Sequence, residues 1–268
     1  MTMWQAVLLG ITQGVTEFFP VSSSGHLVIA RHLLGASDYA LTFDVMVHLG
    51  SLAAVAVYFR GDLVRMAAGV LGGQGAGAAE GRRLFWLLVM ATVPLAVAGL
   101  LFRDAVAAVF GSVRVTALML ILTGALLLFA DRATFGQRKG EPGWRQALAM
   151  GLAQAMAVLP GLSRSGVTIG AGVLSGLERQ AAARFAFLMA VPAILGAAAV
   201  EAAGLWAEGL FSNGDLRILA AGAAAAAVSS YTAIAAFVRF VARGRLAPFA
   251  YYTWAVAAII LLLSMRPA

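Results

Sequence analysis

Residues Gln13–His26 read QGVTEFFPVSSSGH and interrupt an apolar N-terminal segment with a carboxylate, a proline and three consecutive serines. Residues Pro160–Thr168, PGLSRSGVT, interrupt the apolar segment 146–177 in the same way. Each segment divides into two short apolar helices around a polar turn, and neither half reaches the roughly 20 residues that a membrane-spanning helix needs. We therefore expect two re-entrant helix-turn-helix hairpins, over 4–34 and 146–177, that each return to the side they entered from.

The composition is that of a helical membrane protein. Of 268 residues, 62% are hydrophobic and only 12% are charged, too few charges to cover the surface of a soluble domain. The absence of cysteine excludes disulfides, thiolate metal sites and a cysteine nucleophile. The net charge of +7 lies in loops between apolar segments, so we expect no nucleic-acid partner. Membrane spans are predicted at 41–59, 84–102, 113–130, 185–203, 216–238 and 249–265.

The two hairpins also resemble each other in sequence. Three residues recur 141 positions later, since Gln5, Gly10 and Gln13 correspond to Gln146, Gly151 and Gln154. This recurrence predicts two repeats, 1–135 and 141–268, each with one re-entrant hairpin and three spans. Because three is an odd number of crossings, the second repeat is expected to be inverted relative to the first.

The distribution of charge orients these repeats. Basic residues concentrate on one predicted side, which we expect to be cytoplasmic. Both termini and the first hairpin then lie on the periplasmic side, whereas the second hairpin enters from the cytoplasm. The Gly-rich stretch 72–81 is predicted to be a flexible cytoplasmic loop. The basic side holds Arg60, Arg65, Arg82, Arg83, Arg132, Arg138, Lys139, Arg145, Arg179, Arg184, Arg239, Arg243 and Arg245; the other holds Arg31, Arg103, Arg114, Arg217 and Arg266, with Asp38, Asp104, Glu201, Glu208 and Asp215.

The first polar turn carries groups that suit an anion and proton transfer. Gln13 and Glu17 share one helix face, and a carboxylate at membrane depth is costly unless it is paired, hydrated or bound to a metal. The turn Ser22–Gly25 offers hydroxyls and free N–H groups at a helix N-terminus, which favours anion binding. Beside them, His26 is a candidate general acid, base or nucleophile. A divalent cation would fit beside Glu17 and Gln13 if substrate oxygens completed its ligands.

The second polar turn has an arginine where the first has its acid and histidine. Arg164 is a charged fork suited to phosphate, and hydroxyls of Ser163, Ser165 and Thr168 surround it. Inverted repeats bring their broken helices face to face near the midplane, so the two turns are expected to converge on a phosphate or diphosphate group. Asp44 and His48 share a helix face, and they either line this cavity or form a satisfied intramembrane pair.

These two motifs resemble those of the bacterial undecaprenyl-diphosphate phosphatases of the bacitracin-resistance type. Weaker similarity extends through Phe43–Ser51, Ala190–Pro192 and Pro248–Ala250, in order along the chain. The resemblance implies a multi-pass enzyme of the bacterial inner membrane, open to the periplasm. It would remove the terminal phosphate of undecaprenyl diphosphate with a divalent cation, Mg²⁺ or Ca²⁺, and so recycle the lipid carrier of peptidoglycan synthesis and confer bacitracin resistance.

The resemblance also assigns roles to residues. It implies that Glu17, Ser23, His26 and Arg164 are catalytic, and it leaves the nucleophile open between a serine, the histidine and a water. Gln13 stands where many relatives have Glu, so a metal site on Gln13 and Glu17 has one carboxylate only. The diphosphate-binding residues implied are Gln13, Ser22, Ser24, Gly25, Ser163, Ser165, Gly166 and Thr168.

Two other functions compete with this hypothesis. A transporter or flippase of a polyprenyl phosphate lipid would use the same architecture, but binding alone does not need Glu17, His26 and the serines together. A second membrane phosphatase superfamily has a Ser-Gly-His motif like Ser24–His26, but it also needs a Lys-rich motif and a later histidine. This chain has no histidine after His48. Membrane lipids and the polyprenyl diphosphate are the expected partners, and a homodimer is compatible with the sequence.

Overall fold

The described part of the chain forms twelve helices. The computed structural model describes residues 1–36, 40–109, 112–133, 140–207 and 215–264, and each regular element in these ranges is an α-helix. Five charges used above to orient the repeats, Asp38, Arg138, Lys139, Glu208 and Arg266, lie outside the described residues. The helices are α1 Met3–Phe18, α2 Ser23–Leu34, α3 Ala40–Tyr58, α4 Arg60–Val70, α5 Ala76–Leu101, α6 Arg103–Val109, α7 Val113–Arg132, α8 Trp144–Met156, α9 Arg164–Leu174, α10 Arg179–Ala207, α11 Leu216–Arg243 and α12 Ala247–Ser264.

Several of these helices are suited to cross a bilayer. By length and hydropathy, α5, α7, α10 and α11 each qualify, and α3 with α4 is a bent pair, with 80° between its helices, that passes the same test as a broken span or a re-entrant loop. The apolar part of α12, Ala247–Leu262, is shorter. Every predicted span coincides with a helix, and the protein is a helical, multi-pass membrane protein. The stretch 72–81 is not a loop throughout, because α5 begins at Ala76.

Both predicted helix-turn-helix segments are present. Helix α1 ends at Phe18, before Pro20, and α2 begins at Ser23; α8 and α9 are separated by the corresponding turn. Equivalent hydrogen bonds close the two hairpins. Gln5 Nε2 donates to the Leu34 carbonyl at 2.8 Å, and Gln146 Nε2 donates to the Ser175 carbonyl at 3.3 Å. Acceptors as well as donors are therefore 141 positions apart.

The recurring glycines mark a second equivalence. A Cβ atom at Gly10 would collide with the Gly222 carbonyl of α11, and one at Gly151 would lie 2.5 Å from the Ala91 carbonyl of α5. Helix α1 thus packs closely on α11, and α8 packs in the same way on α5. These contacts fix the position of each hairpin against a long helix of the other predicted repeat.

An aromatic cluster supports the first polar turn. Phe18 is fully buried and makes an edge-to-face contact with Phe187 of α10, with ring centroids 5.3 Å apart. Phe187 in turn packs on Phe237 of α11 at 5.7 Å. Since consecutive helical side chains point in different directions, burying Phe18 turns the preceding residue, Glu17, away from this cluster.

Ion pairs join the helices at the predicted cytoplasmic side. Asp62 of α4 accepts hydrogen bonds from Arg65 and, at 2.5 Å, from Arg184 of α10. Arg184 also pairs with Glu141 at 3.0 Å. Because Asp62 is only 7% exposed, this network holds α4 against α10 through charges that water screens weakly.

Candidate active site

The two polar turns meet inside the protein. Ser165 Oγ of α9 donates a hydrogen bond to the Phe19 carbonyl at 3.0 Å, which joins the second hairpin to the first. Between them lies a cavity of about 430 Å³. The polar residues on its wall are Thr16, Glu17, Ser22, Ser23, Ser24, Arg31, Asp44, His48, Ser163, Arg164, Ser165 and Glu201. The predicted convergence of Glu17, Arg164 and both serine turns is therefore observed.

Glu17 is the centre of this arrangement. Its Oε1 atom lies 2.5 Å from Nη2 of Arg164, across 147 positions of sequence. Its Oε2 atom accepts hydrogen bonds from Ser23 Oγ at 2.5 Å and from Gln13 Nε2 at 3.0 Å. A buried carboxylate requires such partners, and they come from α1, α2 and α9.

Two polar atoms beside Glu17 have no partner. Among the described residues, Arg164 Nη1 and Gln13 Oε1 are both buried without a hydrogen bond. Unsatisfied buried groups cost about 1–3 kcal/mol each, so they tend to occur where a ligand completes them. The free guanidinium donor needs an acceptor, and phosphate oxygens match its geometry.

The serine turns have equivalent internal contacts. Ser22 Oγ lies 3.3 Å from Ser24 Oγ, and Ser163 Oγ lies 3.2 Å from Ser165 Oγ. Ser163 caps α9 by accepting from the Gly166 amide at 3.1 Å. Ser22 instead adopts a φ of 69°, in the left-handed region that a side chain disfavours. Such strain persists where neighbouring contacts hold it.

His26 holds this strained turn. Its Nδ1 lies 2.8 Å from the Ser22 carbonyl, and its Nε2 lies 2.8 Å from the hydroxyl of Tyr252 on α12. The two rings are stacked, with their planes 9° apart. His26 is not one of the residues that line the described cavity. Its direct action on a substrate, inferred from sequence, stays a prediction.

Other residues with predicted binding roles lie behind the cavity wall. Gln13 reaches the site only through Glu17, and Gly25 and Gly166 are not on the described wall. A Cβ atom at Gly166 would lie 2.8 Å from Thr123 Cγ2, so this glycine allows α9 to approach α7. Thr168 Oγ1 donates to the Arg164 carbonyl at 2.8 Å. The predicted contacts of these residues with diphosphate remain untested.

Four charged or titratable groups besides Glu17 and Arg164 lie on the wall, and two of them, Arg31 and Glu201, were not predicted there. Asp44 forms a two-pronged ion pair with Arg31 of α2, with one contact at 2.9 Å, and it also lines the cavity. The first alternative for Asp44 is therefore observed, whereas its carboxylate pairs with Arg31, and His48 bonds to its backbone carbonyl. His48 also lines the cavity, as does Glu201. Sequence analysis assigned Arg31 and Glu201 only to membrane orientation, although a single acid in the 29-residue apolar helix α10 is a signal of function.

The described residues do not form a metal site by themselves. They contain no group of three or more His, Asp or Glu side chains arranged to hold an ion. Both oxygens of Glu17 are engaged, one of them by a guanidinium that would repel a cation. The unpartnered Gln13 Oε1 is a single neutral oxygen ligand. The described residues therefore do not show a preformed site for the predicted cation, which stays a prediction.

Comparison with known proteins identifies the family. The model of the family described as bacitracin resistance protein BacA matches residues 6–259, nearly the whole chain. The chain belongs to the BacA family. The match includes every residue of the described cavity wall, from Thr16 to Glu201.

Curated relatives of this BacA family chain carry one name. A protein named undecaprenyl-diphosphatase from Rubrobacter xylanophilus is 44% identical over 262 residues, which are 96% of each chain. Proteins with the same name from Thioalkalivibrio sulfidiphilus, 41% identical, and Syntrophotalea carbinolica, 42% identical, align over 98% of this chain and 99% and 100% of their own. The similarity thus covers nearly the full length of these three relatives.

Proposed function

We propose that this chain is an undecaprenyl-diphosphatase, which hydrolyses undecaprenyl diphosphate to undecaprenyl phosphate and inorganic phosphate. It would thereby recycle the lipid carrier of cell-wall synthesis and confer bacitracin resistance. The observation that carries the proposal is the Glu17–Arg164 contact of 2.5 Å, which joins two distant motifs beside the hydroxyls of both serine turns. Full-length relatives named undecaprenyl-diphosphatase support the same substrate.

Arg164 is the principal diphosphate-binding group in this proposal. Its buried, unpartnered Nη1 donor would bond to an oxygen of the terminal phosphate. Hydroxyls of Ser22, Ser163 and Ser165 and the N-termini of α2 and α9 would bind the remaining oxygens. As the guanidinium turns toward the phosphate, it weakens its ion pair with Glu17, and the carboxylate becomes a better proton acceptor.

Ser23 is the proposed nucleophile. Its hydroxyl already donates to Glu17 Oε2 at 2.5 Å, so proton transfer needs no rearrangement. Ser23 Oγ would attack the terminal phosphorus while Glu17 takes the hydroxyl proton. The bond from phosphorus to the bridging oxygen breaks, and undecaprenyl phosphate leaves with that electron pair. Water then attacks the phosphoserine and releases inorganic phosphate.

A divalent cation would enter the site together with the substrate. In the described ranges no three acidic or histidine side chains are grouped to hold Mg²⁺ or Ca²⁺, and diphosphate oxygens would complete the ligand set beside Gln13 Oε1 and Glu17. When bound, the ion would neutralise phosphate charge. Chelation is therefore expected to weaken substrate binding without unfolding the protein.

The proposed topology has two inverted repeats, each with one re-entrant hairpin and three spans. The equivalent hydrogen bonds of Gln5 and Gln146 and the equivalent packing of Gly10 and Gly151 support it. With the basic side in the cytoplasm of a bacterial inner membrane, both termini lie in the periplasm. The active cavity would open to the periplasm, and a homodimer stays a prediction.

Product analysis tests the function. Purified protein in detergent is given undecaprenyl diphosphate, with and without a chelator, and both products are quantified by mass spectrometry. We expect equal amounts of undecaprenyl phosphate and inorganic phosphate, and loss of both when the cation is removed. If folded protein releases neither product but moves the lipid across vesicle bilayers, the chain is a transporter and the proposal is wrong.

A further inference from the structure

The two histidines nearest the reaction centre differ in what their ring nitrogens contact. His26 Nδ1 lies 2.8 Å from the Ser22 carbonyl, which only accepts, so this nitrogen carries a proton. In the neutral ring, Nε2 is then an acceptor, and the Tyr252 hydroxyl donates to it at 2.8 Å. The lone pair of neutral His26 is therefore already used, at a distance from the cavity wall.

His48 has the opposite arrangement. Its Nδ1 lies 2.7 Å from the Asp44 carbonyl one helical turn earlier, so Nδ1 carries the proton and Nε2 has the lone pair. Nε2 lies 3.9 Å from Glu17 Oε2, too far for a hydrogen bond, and has no other hydrogen-bond partner in the described ranges. About one third of the side chain is exposed, and His48 lines the cavity.

A count of protons shows where such a group is needed. This step rests on the proposed function, in which Glu17 takes the Ser23 proton during attack and must return it when Ser23 Oγ leaves. Glu17 therefore cannot also take a proton from the water that attacks the phosphoserine. Gln13, the other group bonded to Oε2, has an amide with no basic site.

We propose that His48 is a catalytic base of this site, which takes the proton from the water that hydrolyses phosphorylated Ser23. In this step the water oxygen forms a bond to phosphorus and the bond from phosphorus to Ser23 Oγ breaks. The electron pair on Ser23 Oγ accepts the proton held by Glu17. His48 Nε2 accepts the water proton, and the resulting imidazolium releases it to solvent through the open cavity.

Charged side chains of α1, α3 and α10 lie near the His48 ring. Asp44 presents its carbonyl to Nδ1 of His48, while its carboxylate is held by Arg31. Glu201 of α10 lies on the same wall and interacts electrostatically with His48. Glu17 faces His48 from α1, and the Arg164 guanidinium lies beyond it. Carboxylates of α1 and α10 therefore share the cavity with the ring that takes the water proton.

Chemical rescue separates this role from a structural one. Wild type, His48→Ala and His48→Gln are mixed with undecaprenyl diphosphate in detergent, and prenyl phosphate and inorganic phosphate are followed by rapid quench. We expect both variants to release about one prenyl phosphate per enzyme in a burst, while phosphate release falls about 100-fold. Free imidazole should raise the rate of phosphate release by His48→Ala about tenfold, because it enters the space that the removed side chain leaves.

His26→Ala is the matched control. Losing the ring loosens the Ser22 turn, so we expect both steps to slow together, without a burst and without rescue by imidazole. Normal phosphate release by His48→Ala, or a rate that imidazole leaves unchanged, would overturn the proposal, and so would rescue of His26→Ala instead. If wild type forms neither product, the proposed function fails, which is distinguishable because the burst reports the first step alone.

Discussion

Glu17 has hydrogen-bonding partners from both halves of the chain, and this explains why the first motif cannot work alone. Ser23 belongs to the same hairpin, whereas Arg164 arrives from the second hairpin. Each partner bonds to a different carboxylate oxygen of Glu17. The bond with Ser23 prepares the nucleophile, and the bond with Arg164 links the carboxylate to the group that binds substrate. The identity of the nucleophile therefore depends on which hydroxyl contacts Glu17.

Substitution of serines one at a time tests that dependence. Ser23→Ala should lower turnover at least about 100-fold, because it removes the hydroxyl that donates to Glu17. Ser24→Ala is the matched control, since the Ser24 hydroxyl contacts Ser22 instead of Glu17. Its turnover should fall less than about tenfold. Acid-quenched protein is then examined for phosphate on Ser23. Equal losses in the two variants would contradict the assignment of the nucleophile.

The sequence predicted most of these site residues but not the orientation of their side chains. Glu17, Ser23 and Arg164 were identifiable because polar side chains inside apolar segments are costly and so signal function. The orientation of the His26 side chain was not predictable, because it depends on a hydrogen bond with Tyr252, 226 positions away. The importance of His48 was likewise hidden, since its distance from Glu17 is set by the packing of α3 on the hairpin.

Single elements in this protein depend on glycine for close packing. Gly81 of α5 lies against the Arg65 carbonyl, and Gly69 of α4 lies against the Ala78 carbonyl. Sequence analysis interpreted the Gly-rich stretch 72–81 as a loop, because glycine lowers helix propensity. The prediction was wrong from Ala76 onward, since tertiary contact between α4 and α5 requires small residues in a helix there.

The close contact of α1 with α11 gives a stability test. Gly10→Ala should lower stability by about 1–3 kcal/mol, because the added Cβ collides with the Gly222 carbonyl. Gly99→Ala is the control, since a Cβ there meets nothing within 4 Å. Thermal unfolding in detergent should give a lower midpoint for Gly10→Ala and an unchanged or higher one for Gly99→Ala. Similar midpoints for both would contradict the tight helix contact.

The ion pairs between α4 and α10 give a second test. Asp62→Asn should destabilise the protein by about 2 kcal/mol, because it leaves Arg184 and Arg65 without the buried carboxylate between them. Glu80→Gln removes an exposed pair, 3.7 Å from Arg65, and should change stability by less than about 0.5 kcal/mol. Urea or thermal unfolding checks this order, and a larger effect of Glu80→Gln would contradict it.

The two halves of the molecule share one pair of equivalent hydrogen bonds and one pair of equivalent glycine contacts. Charge and the 141-residue recurrence predict inverted repeats from sequence, because hydrophobic spans and loop charges are properties of the chain itself, and the inversion stays a prediction. The additional helices α4 and α6 were not predicted. Each begins with an arginine, separated by a single residue from the end of a longer helix, so the sequence marks the end of the apolar stretch but not that the chain continues as a second, bent helix.

Cysteine labelling tests the proposed topology. The natural chain has no cysteine, so Gln74→Cys and Asp104→Cys each introduce one exposed thiol, at opposite ends of α5. We expect a membrane-impermeant maleimide added to intact spheroplasts to label the Asp104 variant only. Labelling of the Gln74 variant from outside, at the same rate, would contradict the orientation. Arg245→Cys and Arg217→Cys repeat the test on α11, where outside labelling is expected only at position 217.

The central claim is that Arg164 binds the diphosphate in a hydrolytic site. Phosphate release from undecaprenyl diphosphate should be measured with wild type, Arg164→Lys and Arg164→Ala side by side, in protein shown to be folded. We expect the rate of phosphate release to fall about 100- to 1000-fold in Arg164→Lys, because one charge without the planar guanidinium cannot replace two hydrogen-bond donors. The rate should fall further in Arg164→Ala. Wild-type turnover by Arg164→Ala would contradict the claim.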